Sequence, residues 1–155
     1  MTPGAGARPF AVLAGTMVVA GGLTAAVNSA APFEHGSWLA AYLVLVAGAS
    51  QWALGVGSTA LPAPRRSARL TRLELVLWNA GNGAVMAGVL VDASTLVMAG
   101  SLALLVALGC FAVGAGARRS AGWSRLLLYR GLIAVLAVSV VIGSALAGAP
   151  PGGVA

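Results

Sequence analysis

Five apolar runs, each about as long as a bilayer crossing, alternate with short polar segments. Pro9–Ala30 is interrupted only by Thr16, Thr24, Asn28 and Ser29. The run that opens at Ser37 and ends at Thr59 has no charge from Leu39 to Gly57 and one strongly polar member, Gln51. Arg72–Val91, Thr95–Ala117 and Arg125–Ala147 complete the set. A helix needs roughly 20 apolar residues to cross lipid, and a backbone in lipid must satisfy its own hydrogen bonds. The pattern therefore predicts an all-α membrane protein, one domain over 1–155, with five transmembrane helices in a compact bundle near 10–30, 37–59, 72–91, 95–117 and 125–147. Ser94 and Ser124 stand as N-caps before the last two runs. Ala149-Pro150-Pro151-Gly152-Gly153 cannot continue a helix, which makes 148–155 a loose tail. The first run follows Arg8 as a signal peptide would, but it exceeds the roughly 7–15 apolar residues of such leaders and reads as a retained span.

Composition agrees. Hydrophobic residues make up 59% of the chain and charged ones 8%, where soluble domains carry about a quarter charged. All nine basic residues are Arg, and Ala and the 22 Gly are abundant, which suits a GC-rich bacterial genome and a plasma-membrane location. A net charge of +6 would raise nucleic acid as a partner, but the arginines sit at the ends of apolar runs, so nucleic acid is not expected. They also alternate. Arg8, then Arg65, Arg66, Arg69 and Arg72, then Arg118, Arg119, Arg125 and Arg130 fall on one side, with Glu34, His35 and Asp92 on the other. The positive-inside rule then puts the N-terminus in the cytoplasm and the C-terminus outside. Arg65, Arg66, Arg69, Arg118, Arg119 and Arg130 form an inner basic rim suited to anionic lipid headgroups. Arg65–Leu75 aligns without gaps on Arg118–Leu128, which suggests a parallel repeat of helical hairpins, the second and third runs echoed by the fourth and fifth.

Polar groups at membrane depth carry most of the chemical information, because each needs a partner. Gln51 and Asn79 lie at matched depth, roughly 12–14 Å in, and are expected to hydrogen-bond, with Asn82 on the same face as Asn79. The three amides form a candidate ligand site, weighed against plain interhelical bonding. Glu74 closes a Thr71-Arg72-Leu73-Glu74 capping box and reads as a cap rather than a proton carrier. Glu34, His35, Trp38 and Asp92 form a candidate polar cluster on the outer face, with Met98 nearby. One histidine cannot build a zinc or copper site, so no metal is expected. Trp38, Tyr42, Trp123 and Tyr129 read as interfacial belts, while Trp52 and Trp78 are expected to pack together. Small residues recur at four-residue spacing in Ala80-Ala84-Gly88, Gly21-Ala25, Ala112-Gly116 and Ser139-Gly143-Ala147, faces for close helix packing within one chain or in a homo- or hetero-oligomer. Cys110 is alone in an apolar run and reads as a small hydrophobe.

No phosphate-binding loop, nucleophile elbow, carboxylate dyad or paired histidines occur. Three functions fit. The favoured one is a non-enzymatic subunit or scaffold of a membrane assembly. The second is a small carrier or channel with a midplane cavity lined by Gln51, Asn79 and Asn82, its third helix interrupted near Gly81–Gly83. The third is a redox or quinone-associated membrane protein using His35 and Glu34. The sequence specifies no cofactor.

Overall fold

The computed structural model describes residues 7–60, 67–116 and 123–147, and every element among them is helical. The elements are α1 (Arg8–Ala30), α2 (Gly36–Tyr42), a π-helical stretch (Leu43–Ala49) running directly into α3 (Ser50–Ala60), α4 (Ala68–Leu90), α5 (Ser94–Gly116) and α6 (Trp123–Ala147). Because α2, the π stretch and α3 are continuous, five helices are long and apolar enough to cross a membrane. At 1.5 Å per residue, 23 residues reach about 35 Å, slightly more than a hydrocarbon core of about 30 Å.

The helix ends follow local chemistry. α4 begins four residues ahead of Arg72, because Ser67 is its N-cap and the Ser67 hydroxyl oxygen accepts from the Leu70 N–H at 3.2 Å. The capping box expected at Thr71–Glu74 is therefore not the start of the helix, and Glu74 falls in its second turn, fully buried. At the other end, Asp92 takes φ 53° and the Ala93 N–H donates to the Gly88 carbonyl at 2.8 Å, a Schellman stop. α5 starts at Ser94 itself. The Ala93 carbonyl accepts from the Leu96 and Val97 amides, so Ser94 lies in the first turn rather than ahead of it. α6 likewise begins one residue before Ser124.

Glycines set the close approaches, among them Gly21 and Gly88 of the predicted four-residue stripes. A methyl group on Gly100 would come within 2.7 Å of the Gly81 carbonyl oxygen and 2.8 Å of the Val85 nitrogen, so α4 and α5 touch backbone to backbone. Gly88 meets Val97 in the same seam, seven residues from Gly81. Gly21 seats Val44 and the Ala40 carbonyl, Gly48 seats Val18, and Gly55 seats Phe10, which fastens α1 along the whole second span. Ala25, Ala80 and Ala112, members of the predicted stripes, face outward instead.

Where α1 and α3 meet α5 and α6, the contacts are aromatic and lie at one end. Phe10 stands edge-on to Phe111 with ring centroids 5.8 Å apart. Tyr129 fills the notch at Gly57 and donates its hydroxyl to the Leu54 carbonyl at 3.3 Å. These contacts join the start of α1, the end of α3, the end of α5 and the start of α6, so Arg8, Arg69, Arg72, Arg125 and Arg130 share that end of the bundle. Arg65, Arg66, Arg118 and Arg119 lie outside the described residues, and with them much of the proposed repeat.

Side-chain size along the inward stripes explains the shape. From the arginine end, α6 presents Leu126, Tyr129, Ile133, Leu136, Val140 and Gly143, and α5 presents Phe111, Leu108, Leu104, Ser101 and Val97. Large residues make a close-packed core in the arginine half. The opposite half has valine, serine and glycine at the equivalent places, and the helices there leave a space.

Candidate ligand cavity

That space is a cavity of about 620 Å³ between the second span, α4, α5 and α6, within the range that holds a drug-sized molecule. Trp78 and Leu104 form its inner end, about halfway along α4 and α5. Its walls are Leu45 and Val46 from the π stretch, Val85 and Val89 from α4, Val97 and Ser101 from α5, and Leu136, Ser139 and Val140 from α6. The mouth carries His35, Trp38 and Tyr42 on one side and Gly143 and Ser144 on the other. Trp38 and Tyr42 lie over one another with centroids 5.0 Å apart. α2 makes no extensive contact with α6, so the mouth continues as a cleft between them.

The lining is nearly all hydrocarbon. No Asp, Glu, Lys or Arg is among its described residues. The Ser139 and Ser144 hydroxyls donate to the Val135 and Val141 carbonyls of their own helix at 2.8 and 2.9 Å, so their protons are already used. Nothing in this wall could hold a charge, which makes the cavity suited to a neutral apolar occupant.

The π stretch shapes one wall. Its N–H groups reach back five residues, as in Ser50 N–H to Leu45 carbonyl, and the Ser50 hydroxyl bonds the Val46 carbonyl. The wider turn rotates everything downstream relative to a straight α-helix; π segments recur at functional sites. It also explains two corrections. Trp52 does not pack on Trp78: it points outward and is 53% exposed, while Trp78 is 1% exposed. The expected Gln51–Asn79 bond is not formed. Asn79 donates instead to the Leu75 carbonyl one turn back at 2.8 Å, and Gln51 is wholly buried with neither amide atom hydrogen-bonded among the described residues. A short asparagine stem bonds its own helix more readily than a neighbour. Asn82 does the same with the Trp78 carbonyl, which leaves its Oδ1 without a partner. None of the three amides lines the cavity, and α4 runs unbroken through Gly81–Gly83.

The predicted outer cluster divides. His35 and Trp38 come together at the mouth; Glu34 and Asp92 face outward and line nothing, as does Met98. No group of three or more His, Cys, Asp or Glu gathers among the described residues. Cys110 is half-buried on α5. Sequence reasoning missed Asn28, whose side chain donates to the Ser37 hydroxyl and accepts from the Phe33 N–H, both at 3.1 Å. It sets the bend that carries His35 and Trp38 to the mouth. The signal was available in Gly36, where any side chain would strike the Asn28 amide.

Comparison with known proteins adds no relative: no family model, curated protein or solved structure matches this chain. The fold and cavity define its class by themselves. Five apolar, membrane-length helices point to a multi-pass membrane protein with a half-open apolar cavity at one end.

Proposed function

We propose that the protein is a small, non-enzymatic membrane subunit that binds a neutral, largely apolar molecule drawn from the bilayer. The observation that carries this reading is the cavity of about 620 Å³ walled by valine and leucine, with His35, Trp38 and Tyr42 at its mouth. Burial of a hydrocarbon chain there is favoured at about 25 cal/mol per Å² when the alternative is water; in lipid the gain is closer packing. The arginines at the opposite end support a cytoplasmic N-terminus, with the mouth toward the outer leaflet of a bacterial plasma membrane. The exposed Arg69 and Arg130 suit anionic headgroups on the inner face. Outward small residues such as Ala80 and Ala112 leave a face for a partner helix. The carrier reading built on Gln51, Asn79 and Asn82 draws no support from this cavity, which none of the three lines, or from α4, which runs unbroken through Gly81–Gly83.

The test uses tryptophan. With Trp52 and Trp123, both outward-facing, replaced by Phe, emission reports Trp38 and Trp78, which line the cavity. Titration with 1-bromododecane, a contact quencher, should quench saturably, and Ser139→Leu with Gly143→Leu should abolish the saturation. Quenching that rises linearly and ignores the filling substitutions would refute a binding site.

A further inference from the structure

The most unusual groups in the molecule lie near the depth of this cavity's inner end, Trp78 within its lining and Gln51 and Asn82 outside it. Gln51 is 0% exposed, Trp78 1% and Asn82 2%, yet the Gln51 Nε2 and Oε1, the Trp78 Nε1 and the Asn82 Oδ1 all lack hydrogen-bond partners among the described residues. Buried polar atoms are paired in the great majority of cases, and hydrocarbon offers no substitute. The Trp78 indole is itself part of the cavity's inner end. Asn82 stands one turn from it on the inward face of α4, its amide bonded to the Trp78 carbonyl. Gln51 lies two residues past the end of the π stretch, whose Val46 is a wall residue. Gln51 and Trp78 are nine and ten residues from the arginine-end termini of their helices, about the same depth.

We infer that the occupant carries carbonyl or hydroxyl oxygens at one end and enters with that end first, to meet the Gln51 amide and the Trp78 indole N–H, while its apolar tail fills the cavity toward His35. This rests on the cavity being a binding site, and it adds the chemistry of the ligand. These four atoms are two donors of different kinds and two acceptors, all on uncharged side chains. They match an oxygen that accepts, donates or does both. A carboxylate or phosphate would be buried without a compensating cation and is excluded. In this conformation the atoms are closed to the cavity, and the Gln51 side chain, with three rotatable bonds, turns its amide to the ligand. A neutral, lipid-soluble quinone or quinol with an alkyl tail has the required form, polar ring first and chain behind.

The experiment compares 2-decyl-1,4-benzoquinone, its hydroquinone and decylbenzene, with occupancy read by native mass spectrometry of the full chain released from mild detergent. Wild type should bind one or both oxygenated probes at least about tenfold more tightly than decylbenzene. Gln51→Met, which keeps the shape, and Trp78→Phe should each reduce that preference to less than about threefold while decylbenzene still binds. Should Gln51→Met fail to fold, Trp78→Phe decides alone. Equal binding of all three probes by wild type, or a preference that survives the substitutions, overturns the inference and leaves the cavity reading standing. If decylbenzene and the oxygenated probes all fail to bind, both fall.

Discussion

Single residues decide where this protein is rigid. Gly100 and Gly81 hold two backbones together, so Gly100→Ala should destabilise the protein by about 1–3 kcal/mol through overpacking. Gly109 has no neighbour within 4 Å of where a methyl group would sit, and Gly109→Ala should stabilise by about 0.5–1 kcal/mol through helix propensity. Chemical unfolding in detergent of the two variants, one lowered and one raised, checks both. Asp92 tests the stop between α4 and α5. Its φ of 53° is tolerable for Asp and free for Gly, so Asp92→Gly should hold stability, whereas Asp92→Val should lose about 1–2 kcal/mol. Equal effects would mean the left-handed turn is not what ends the helix.

Among the elements, the spans were the most legible. Their length and apolarity are continuous along the sequence, and each end was placed within a few residues. The exceptions have named causes. α4 starts early because Ser67, not Thr71, supplies the capping oxygen, a choice between two hydroxyl residues that spacing alone does not make. The π stretch left no signature, since Leu43–Ala49 is as apolar as any α-helical run. With it the direction of Gln51 and Trp52 was lost, because phase counted at 3.6 residues per turn fails past a wider turn. The cavity was illegible for a related reason. It arises from a gradient of side-chain size along three helices, which only their alignment in space reveals. Two of its mouth residues, His35 and Trp38, belong to the outer polar cluster that the sequence singles out. Deleting Leu45, an exposed residue that also borders the cavity, should restore α-helical winding and leave the downstream face within about 30° of its place, because six α-helical residues turn through about the same angle as seven π-helical ones. Far-UV circular dichroism should be unchanged, and Trp52 as the sole tryptophan should still be quenched by brominated lipid from its outward position. Loss of that quenching, with Trp52 turned inward, would show that the wide turn does not take up the extra residue.

At the scale of the whole molecule, one end is closed by Phe10, Phe111, Leu54 and Tyr129 and the other is open around valine, serine and glycine. The asymmetry coincides with charge, since the described arginines all belong to the closed end. In a Cys110→Ser background, single cysteines at Arg69 and Arg125 should react with an impermeant maleimide from one side of the membrane and a cysteine at Asp92 from the other. Labelling of Arg69 and Arg125 positions from opposite sides would dismantle the threading and, with it, the placement of the mouth. The central claim, that the open half encloses a site for a lipid-soluble molecule, is tested most directly by a crystal structure grown from a lipid mesophase. Elongated non-protein density reaching from Trp38 and Tyr42 inward to Trp78 is the expected result. A structure in which α2 lies packed on α6 with the space between them closed would contradict it.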